Sequence, residues 1–131
     1  MKFISPTLHG LLDYLMCGFL LVIPSMLALT GGAATVCYLL AAGYLLVSLC
    51  TNMPFGLFGW IPFWVHGGLD LVSGIIFIAS PWLFDFAHPA HNSEVGGLRN
   101  IFIGVGVVFL LVYAFTQWRP APGVDTSSAT S

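Results

Sequence analysis

Two histidine–aspartate pairs are the residues of this chain best suited to chemistry. Each pair stands in an H-G-x-L-D motif, with His9 before Asp13 and His66 before Asp70. Residues four positions apart lie on one face of a helix, so each imidazole can reach its own carboxylate. Imidazole and carboxylate together can form a structural pair, can pass a proton, or can bind a metal ion.

Three interpretations of these four residues are therefore open. In the first, each histidine hydrogen-bonds its aspartate and the pairs fix helix packing. In the second, Asp13 and Asp70 belong to a proton or ion path, because ionisable residues inside a membrane often mark one. In the third, the four side chains ligate a divalent metal, or the two histidines ligate haem. We favour the first and rank the third last, since no further histidine lies on the predicted helices.

The composition predicts an integral membrane protein. Of 131 residues, 58% are hydrophobic and 6% are charged, and the net charge is −2. An average soluble domain has about 25% charged residues. The basic residues Lys2, Arg99 and Arg119 are too few to bind a nucleic acid backbone. Motifs such as G-x-S-x-G, H-E-x-x-H and a glycine-rich phosphate loop do not occur, so we do not expect an enzyme.

Four apolar runs predict the helices that must position the two pairs. Each run is close to the ~20 residues with which a helix crosses the hydrocarbon core of a bilayer. The runs lack the alternating pattern of a membrane β-barrel, so we predict an all-α membrane protein with four transmembrane helices. The runs cover residues 6–29, 33–51, 65–84 and 98–118.

The connections between the runs differ in character. Residues 30–32, Thr-Gly-Gly, predict a tight turn, and residues 52–62 combine prolines with aromatic residues that favour the membrane interface. Residues 86–97 predict a solvated loop, in which His88 and His91 are surface residues rather than metal ligands. Residues 119–131 predict a disordered tail.

The chain contains an internal repeat. The H-G-x-L-D motif recurs after 57 positions, and at the same spacing Pro24 matches Pro81 and Ile4 matches Ile61. We therefore predict two copies of a two-helix unit, residues 1–59 and residues 60–118, followed by the tail.

The second unit resembles a known family. Ser80-Pro81-Trp82, late in its first helix, is similar to the signature of the SPW-repeat family of small bacterial integral membrane proteins. The resemblance implies a repeat of two transmembrane helices and a membrane location, and it implies no reaction. The first unit is degenerate, since Pro24 is flanked by isoleucine and serine and keeps only the proline of the signature.

The repeat also predicts how the helices are arranged. Two helices per unit give both units the same orientation, related by a pseudo-two-fold axis along the membrane normal. The first and third helices are expected to meet at this axis through two stripes of residues. The stripes are His9, Asp13, Cys17, Leu20 and Pro24, and His66, Asp70, Gly74, Phe77 and Pro81.

These observations lead to one functional expectation and two ranked alternatives. We expect a membrane scaffold or interaction module without cofactor, in which the His-Asp pairs are structural. The first alternative is a small proton or ion conductor that uses Asp13 and Asp70, and a metal- or haem-binding protein ranks below it. The expected partner is the lipid bilayer, with a second copy or another membrane protein left open. Lys2 and Arg119 lie on the terminal side, so both termini are expected in the cytoplasm, at a bacterial inner membrane.

Overall fold

Four long helices make up the fold. The computed structural model describes residues 2–85 and 95–118. The helices are α1 Pro6–Met26, α2 Gly31–Cys50, α3 Phe63–Leu83 and α4 Val95–Phe115. Within the described residues each of the four is long and apolar enough to cross a membrane. The expected all-α chain with four such helices is confirmed, and it fits a multi-pass membrane protein.

The helix boundaries differ from the predicted runs by a few residues. α4 begins at Val95, so the end of the loop predicted at residues 86–97 is helical. The predicted turn at residues 30–32 lies slightly earlier, because Ala28 takes a positive φ of 49° and α2 already begins at Gly31. The rest of the predicted loop, with His88 and His91, and the tail at residues 119–131 lie outside the described residues.

The start of α1 is built from two local signals. The Ser5 side chain accepts a hydrogen bond from the backbone N–H of Leu8 at 3.2 Å and so caps the helix. Pro6 follows as the first helical residue, where its missing N–H costs nothing. These two residues fix where α1 begins. They thereby also fix the position of His9, which lies one turn later on the helix.

The helices pack as two pairs. α1 packs against α2, α3 packs against α4, and α2 contacts α3. At one end of the bundle the backbone joins the pairs: Ile4 N–H donates to the Phe115 carbonyl at 3.0 Å, and Ile61 N–H donates to the Cys50 carbonyl at 2.8 Å. The segment that leads into α1 therefore pairs with the end of α4, and the segment that leads into α3 pairs with the end of α2. We call this the cluster end, because both histidines lie beside it.

Gly74 and Gly106 set the contact between α3 and α4. A Cβ on Gly106 would lie 2.6 Å from the Gly74 carbonyl oxygen, and a Cβ on Gly74 would lie 3.1 Å from the Gly106 carbonyl oxygen. Only glycine permits the two backbones to approach this closely. Gly104, by contrast, has no heavy atom within 4 Å of its Cβ position, so it does not mark a helix contact.

Ser80 compensates for Pro81 inside α3. Pro81 has no N–H, so the carbonyl of Phe77, four residues earlier, loses its helical donor. The Ser80 hydroxyl donates to that same carbonyl at 2.9 Å and is fully buried. The first unit has Ile23 before Pro24, so α1 cannot compensate its proline in this way. Trp82, the third residue of the signature, is 55% exposed.

An apolar core fills the bundle beyond the histidines. Its centre is aromatic, since Phe77 lies 5.6 Å from Phe102 and 5.7 Å from Phe109 between ring centroids. Smaller buried side chains surround these rings. They include Cys17, Leu20, Ile23, Val36, Cys37 and Ala41.

Candidate metal centre

His9, Asp13, His66 and Asp70 form one buried cluster, which we call the His-Asp cluster. Their exposed fractions are 0%, 4%, 0% and 1%, so almost no surface of these residues reaches solvent. α1 contributes one pair and α3 the other. The two stripes predicted from the sequence are thus brought face to face in their first turns.

The cluster is a closed ring of alternating imidazoles and carboxylates. His9 Nε2 lies 3.5 Å from Asp13 Oδ1 and 3.1 Å from Asp70 Oδ2. His66 Nε2 lies 3.0 Å from Asp13 Oδ2 and 3.4 Å from Asp70 Oδ1. Each carboxylate therefore faces one histidine with each of its oxygens, and in each case the shorter distance joins the two units.

A threonine hydroxyl holds the outer nitrogen of each histidine. His9 Nδ1 lies 2.9 Å from Thr116 Oγ1, and His66 Nδ1 lies 2.9 Å from Thr51 Oγ1. Each hydroxyl donates its proton to the carbonyl four residues earlier, Thr116 to Val112 and Thr51 to Val47, both at 2.6 Å. Since a hydroxyl has one proton, each threonine can only accept from the imidazole. Nδ1 must therefore carry the hydrogen, and Nε2 is the nitrogen left to face the carboxylates.

The carboxylates also have hydroxyl partners, both on α2. The Tyr44 hydroxyl donates to Asp70 Oδ1, and the Ser48 hydroxyl lies 3.5 Å from Asp13 Oδ2. Both of these side chains are buried. Every member of the His-Asp cluster thus has a hydroxyl group beside it that orients the side chain, and such outer hydrogen bonds fix the ligands around protein-bound metals.

Aromatic rings close the cluster end over the histidines. The His9 ring lies 5.0 Å from the Trp118 ring and 5.3 Å from the Phe63 ring, edge to face in both cases. Trp118 lies across α3, where a Cβ on Gly67 would come within 2.9 Å of its ring. These rings separate the cluster from water.

Two inward-facing nitrogens have no hydrogen bond. Within the described residues, His9 Nε2, His66 Nε2 and Asp70 Oδ2 are buried side-chain atoms without a hydrogen-bond partner. The carboxylates are near enough for ion pairs, yet no oxygen meets the geometry of a hydrogen bond to either Nε2. Buried polar atoms are normally satisfied, so three unsatisfied atoms within one cluster call for an explanation.

A single cation would satisfy these atoms together. One ligand atom from each of the four residues can be chosen so that all lie within 4.8 Å of one another. Each Nε2 lies 3.0–3.5 Å from one oxygen of each carboxylate, but these four distances involve four different oxygens. A set with one ligand atom per residue spreads over as much as 4.8 Å, so the side chains would draw together around an ion to reach the edge of a tetrahedron. That edge is about 3.3–3.4 Å when metal–ligand bonds are about 2.0–2.1 Å. Haem does not fit, because a macrocycle between the imidazoles would displace both carboxylates.

The remaining predicted positions lie away from the cluster. Pro24, Ser80 and Pro81 are buried near the opposite ends of α1 and α3, and Trp82 is exposed there. They shape the helix ends. The hydrogen bonds and ion pairs of the four cluster residues involve none of them.

Sequence analysis missed the hydroxyl groups around the cluster. The signal was present: L-L-V-x-x-x-T occurs at residues 45–51 and again at residues 110–116. The two copies of this motif are 65 positions apart, whereas the two H-G-x-L-D motifs are 57 positions apart. The difference arises because the connection between the two helices is longer in the second unit than in the first. The motif places Thr51 and Thr116 at matching positions, one turn beyond a matching valine.

No protein-family model, curated protein or solved structure matches this chain.

Proposed function

We propose that the protein is a membrane-embedded metalloprotein that binds one divalent transition-metal ion in its His-Asp cluster. One observation carries this proposal. Both threonine hydroxyls fix the histidine Nδ1 atoms as donors, and both Nε2 atoms then face the carboxylates without a hydrogen bond. Neutral imidazole with a bare Nε2 is the ligand form of histidine, and a cation between the four groups relieves the unsatisfied atoms.

Charge balance supports a divalent ion in this setting. Two carboxylates buried in an apolar bundle are costly unless their charge is compensated. A divalent cation neutralises Asp13 and Asp70, and the two imidazoles add no charge. Mixed imidazole and carboxylate ligands suit first-row ions such as Zn²⁺, Fe²⁺, Co²⁺ and Mn²⁺. The thiol of Cys17, one turn beyond Asp13, is outside the group of ligand atoms.

A metal-free scaffold is the competing function. Two protonated histidines paired with two carboxylates would also be neutral, and distances of 3.0–3.5 Å suit ion pairs. This arrangement would lock α1 against α3 as a structural element. It leaves the two Nε2 protons without well-aligned acceptors, which is why we place it second.

Metal analysis of the purified protein distinguishes the two functions. We expect one Zn²⁺ or Co²⁺ per chain after reconstitution, with the visible absorption bands of tetrahedral Co²⁺. Metal at about 100 times its Kd should raise the free energy of unfolding by about 2.7 kcal/mol. Asp13→Asn and Asp70→Asn should lose the ion, whereas Asp85→Asn, an exposed carboxylate at the end of α3, should keep it. A wild-type chain that binds neither ion and melts at the same temperature with or without chelator would leave the scaffold as the function.

The two-repeat arrangement belongs to the same proposal. Reciprocal contacts support it: His9 contacts Asp70 and Thr116, while His66 contacts Asp13 and Thr51. The backbone pairing of Ile4 with α4 likewise matches the pairing of Ile61 with α2. We propose two SPW-type units of the same orientation around a pseudo-two-fold axis that passes through the cluster.

We propose an inner-membrane location with both termini in the cytoplasm. The helix ends at the cluster end adjoin the two termini and the segment at residues 52–62. Lys2 and Arg119 lie in sequence next to this end and Arg99 next to the other, and the excess of basic residues supports a cytoplasmic cluster end. Reporter fusions after Ser131 and between residues 88 and 94 test this orientation. We expect cytoplasmic reporter activity from the first and periplasmic activity from the second, and the reverse pattern would invert the topology.

A further inference from the structure

A cleft separates α1 from α4 beside the His-Asp cluster. Its cavity measures about 490 Å³, within the range of about 300–1,000 Å³ that is usual for ligand pockets. On α4 it extends from Gly104 to Val112, which corresponds to about 12 Å along the helix axis. The cleft is therefore long enough for a short apolar chain.

The walls of the cleft are apolar and its mouth is on the outer surface of the bundle. Leu12, Met16 and Phe19 line it from α1, and Val108 lines it from α4. At the mouth Leu15 is 62% exposed and Val108 is 44% exposed. If the four helices span a bilayer, this mouth faces lipid tails, so that an occupant enters from the lipid phase.

The floor of the cleft is acidic. Asp13 and Asp70 are the two polar residues among those that line the cleft, and no basic residue accompanies them. Ionised carboxylates only accept hydrogen bonds, so a head group that reaches them must donate one. With a divalent ion bound the two charges are compensated, which removes the advantage of a cationic head. A hydroxyl can donate to a carboxylate and also offer a lone pair to the metal.

A difference between the two units points to the same head group. The L-L-V-x-x-x-T repeat aligns Tyr44 of α2 with Phe109 of α4. Tyr44 donates its hydroxyl to Asp70, but Phe109 has no hydroxyl to donate to Asp13 and lines the cleft instead. Asp13 is left with the 3.5 Å contact to Ser48. One unit thus lacks the phenolic donor that the other supplies.

We propose that the cleft binds a lipid-soluble alcohol or phenol, with its chain between α1 and α4 and its hydroxyl on Asp13 beside the metal. The inference rests on the proposed metal site, which makes the acidic floor electrically neutral. The hydroxyl takes the position that a tyrosine would occupy if the two units were identical. With four protein ligands in place, the hydroxyl oxygen would be a fifth ligand on the open side of the cluster, an expansion that zinc sites allow.

Photo-crosslinking with matched probes tests this proposal. Diazirine-bearing decanol, decylamine and decanoate share one chain and differ in the head group. We expect decanol to label residues 12–19 and 104–112 of the zinc-loaded protein, and the amine and the acid to label them weakly. Gly104→Leu should weaken decanol labelling about tenfold by filling the cleft. Gly43→Leu is the matched control, because Gly43 on α2 also has no atom within 4 Å of its Cβ position and does not line the cleft.

The outcomes separate this proposal from the metal site itself. Equal labelling by the three probes, or labelling that Gly104→Leu leaves unchanged, would overturn the cleft as an alcohol site. Cross-linked dimers that Gly104→Leu abolishes, without decanol labelling, would assign the cleft to a second copy of the chain. The zinc content of each sample is measured in parallel. Zinc without a preference for decanol overturns only the cleft proposal. A preference for decanol without zinc overturns the metal site, and with it the placement of the hydroxyl beside a metal, and leaves only an alcohol site on Asp13.

Discussion

Thr116 Oγ1 lies 2.9 Å from His9 Nδ1 and 2.6 Å from the carbonyl oxygen of Val112. The carbonyl takes the only hydroxyl proton, so Thr116 fixes which ring nitrogen of His9 is protonated. Thr51 does the same for His66. Two ordinary threonines at helix ends thereby decide that the cluster presents two Nε2 atoms to two carboxylates.

Thr116→Val should show how much this hydrogen bond contributes to the stability of the fold and to metal binding. The variant leaves His9 Nδ1–H buried without an acceptor, which typically costs about 1–3 kcal/mol in the free energy of unfolding. It should also weaken metal binding about 10- to 100-fold, the usual effect of losing a residue that orients a ligand. Thermal melting and zinc titration of the purified variant measure the two effects.

Two further variants control that experiment. Thr116→Ser keeps the hydroxyl and should keep most of the metal affinity. Thr35→Val removes an exposed threonine hydroxyl that also donates to the carbonyl four residues earlier, at 2.9 Å, without a histidine partner. It should change the free energy of unfolding by less than about 0.5 kcal/mol. An equal loss of zinc affinity in the Thr35 and Thr116 variants would contradict the proposed role of Thr116.

Tyr44→Phe should remove a hydrogen bond to Asp70 while leaving the helix packing in place. The ring of Tyr44 packs 4.9 Å from the Phe109 ring and is preserved as phenylalanine, so the change removes only the hydroxyl that donates to Asp70. Loss of a hydrogen bond to a buried charged group typically costs about 1.5–3 kcal/mol. Tyr38→Phe, on an exposed face of the same helix, should be neutral in the same melting assay. Equal melting temperatures for both variants would exclude a stabilising hydroxyl at Tyr44.

Much of this architecture could be predicted from the sequence. The apolar runs identified four helices because a bilayer-length helix needs a continuous stretch of apolar residues, a strong signal. The 57-residue repeat pointed to His9, Asp13, His66 and Asp70 as one group because buried ionisable residues need partners. Helix ends were less predictable: α4 begins at Val95, ahead of the apolar run, since glycines and a charged residue at its start hid its first turn.

The hydroxyl groups around the cluster could not be found by the same reasoning. Thr51 and Thr116 are common residues at the ends of apolar runs, and their meaning depends on contacts with distant parts of the chain. Thr116 lies 107 positions from His9 in the sequence. The cleft depends on how far α1 stands from α4, which no residue pattern encodes. Gly104 and Gly106 look alike in the sequence, two positions apart on one helix. Gly106 makes a close helix contact, whereas Gly104 lines the cleft.

Gly106→Ala should destabilise the pairing of α3 with α4. Its Cβ would lie 2.6 Å from both the Gly74 carbonyl oxygen and the Ile78 side chain, so the two helices would have to separate. Overpacking of this kind typically costs about 1–3 kcal/mol. Gly104→Ala is the matched control on the same helix and should be neutral or slightly stabilising, because its Cβ meets open space. Reversible unfolding in mixed micelles gives both values, and a reversed order would contradict the observed helix contact.

We expect that the protein does not conduct protons. A conduction path needs water or polar groups through the whole membrane depth, and the His-Asp cluster occupies only the first turns of α1 and α3. Beyond Asp13, α1 buries only Cys17, Leu20, Ile23 and Pro24. Beyond Asp70, α3 buries two hydroxyl groups, those of Ser73 and Ser80, and the second of these donates to the carbonyl of Phe77 within the helix. Between the two serines the Phe77 ring packs against two other aromatic rings. Proteoliposomes with an entrapped pH-sensitive dye and an imposed potassium diffusion potential should therefore acidify no faster than protein-free vesicles. The double variant Asp13→Asn with Asp70→Asn should behave like wild type in this assay, while a channel-forming peptide verifies that the dye responds. Proton flux that occurs in wild type and disappears in the double variant would instead assign the two carboxylates to a proton path.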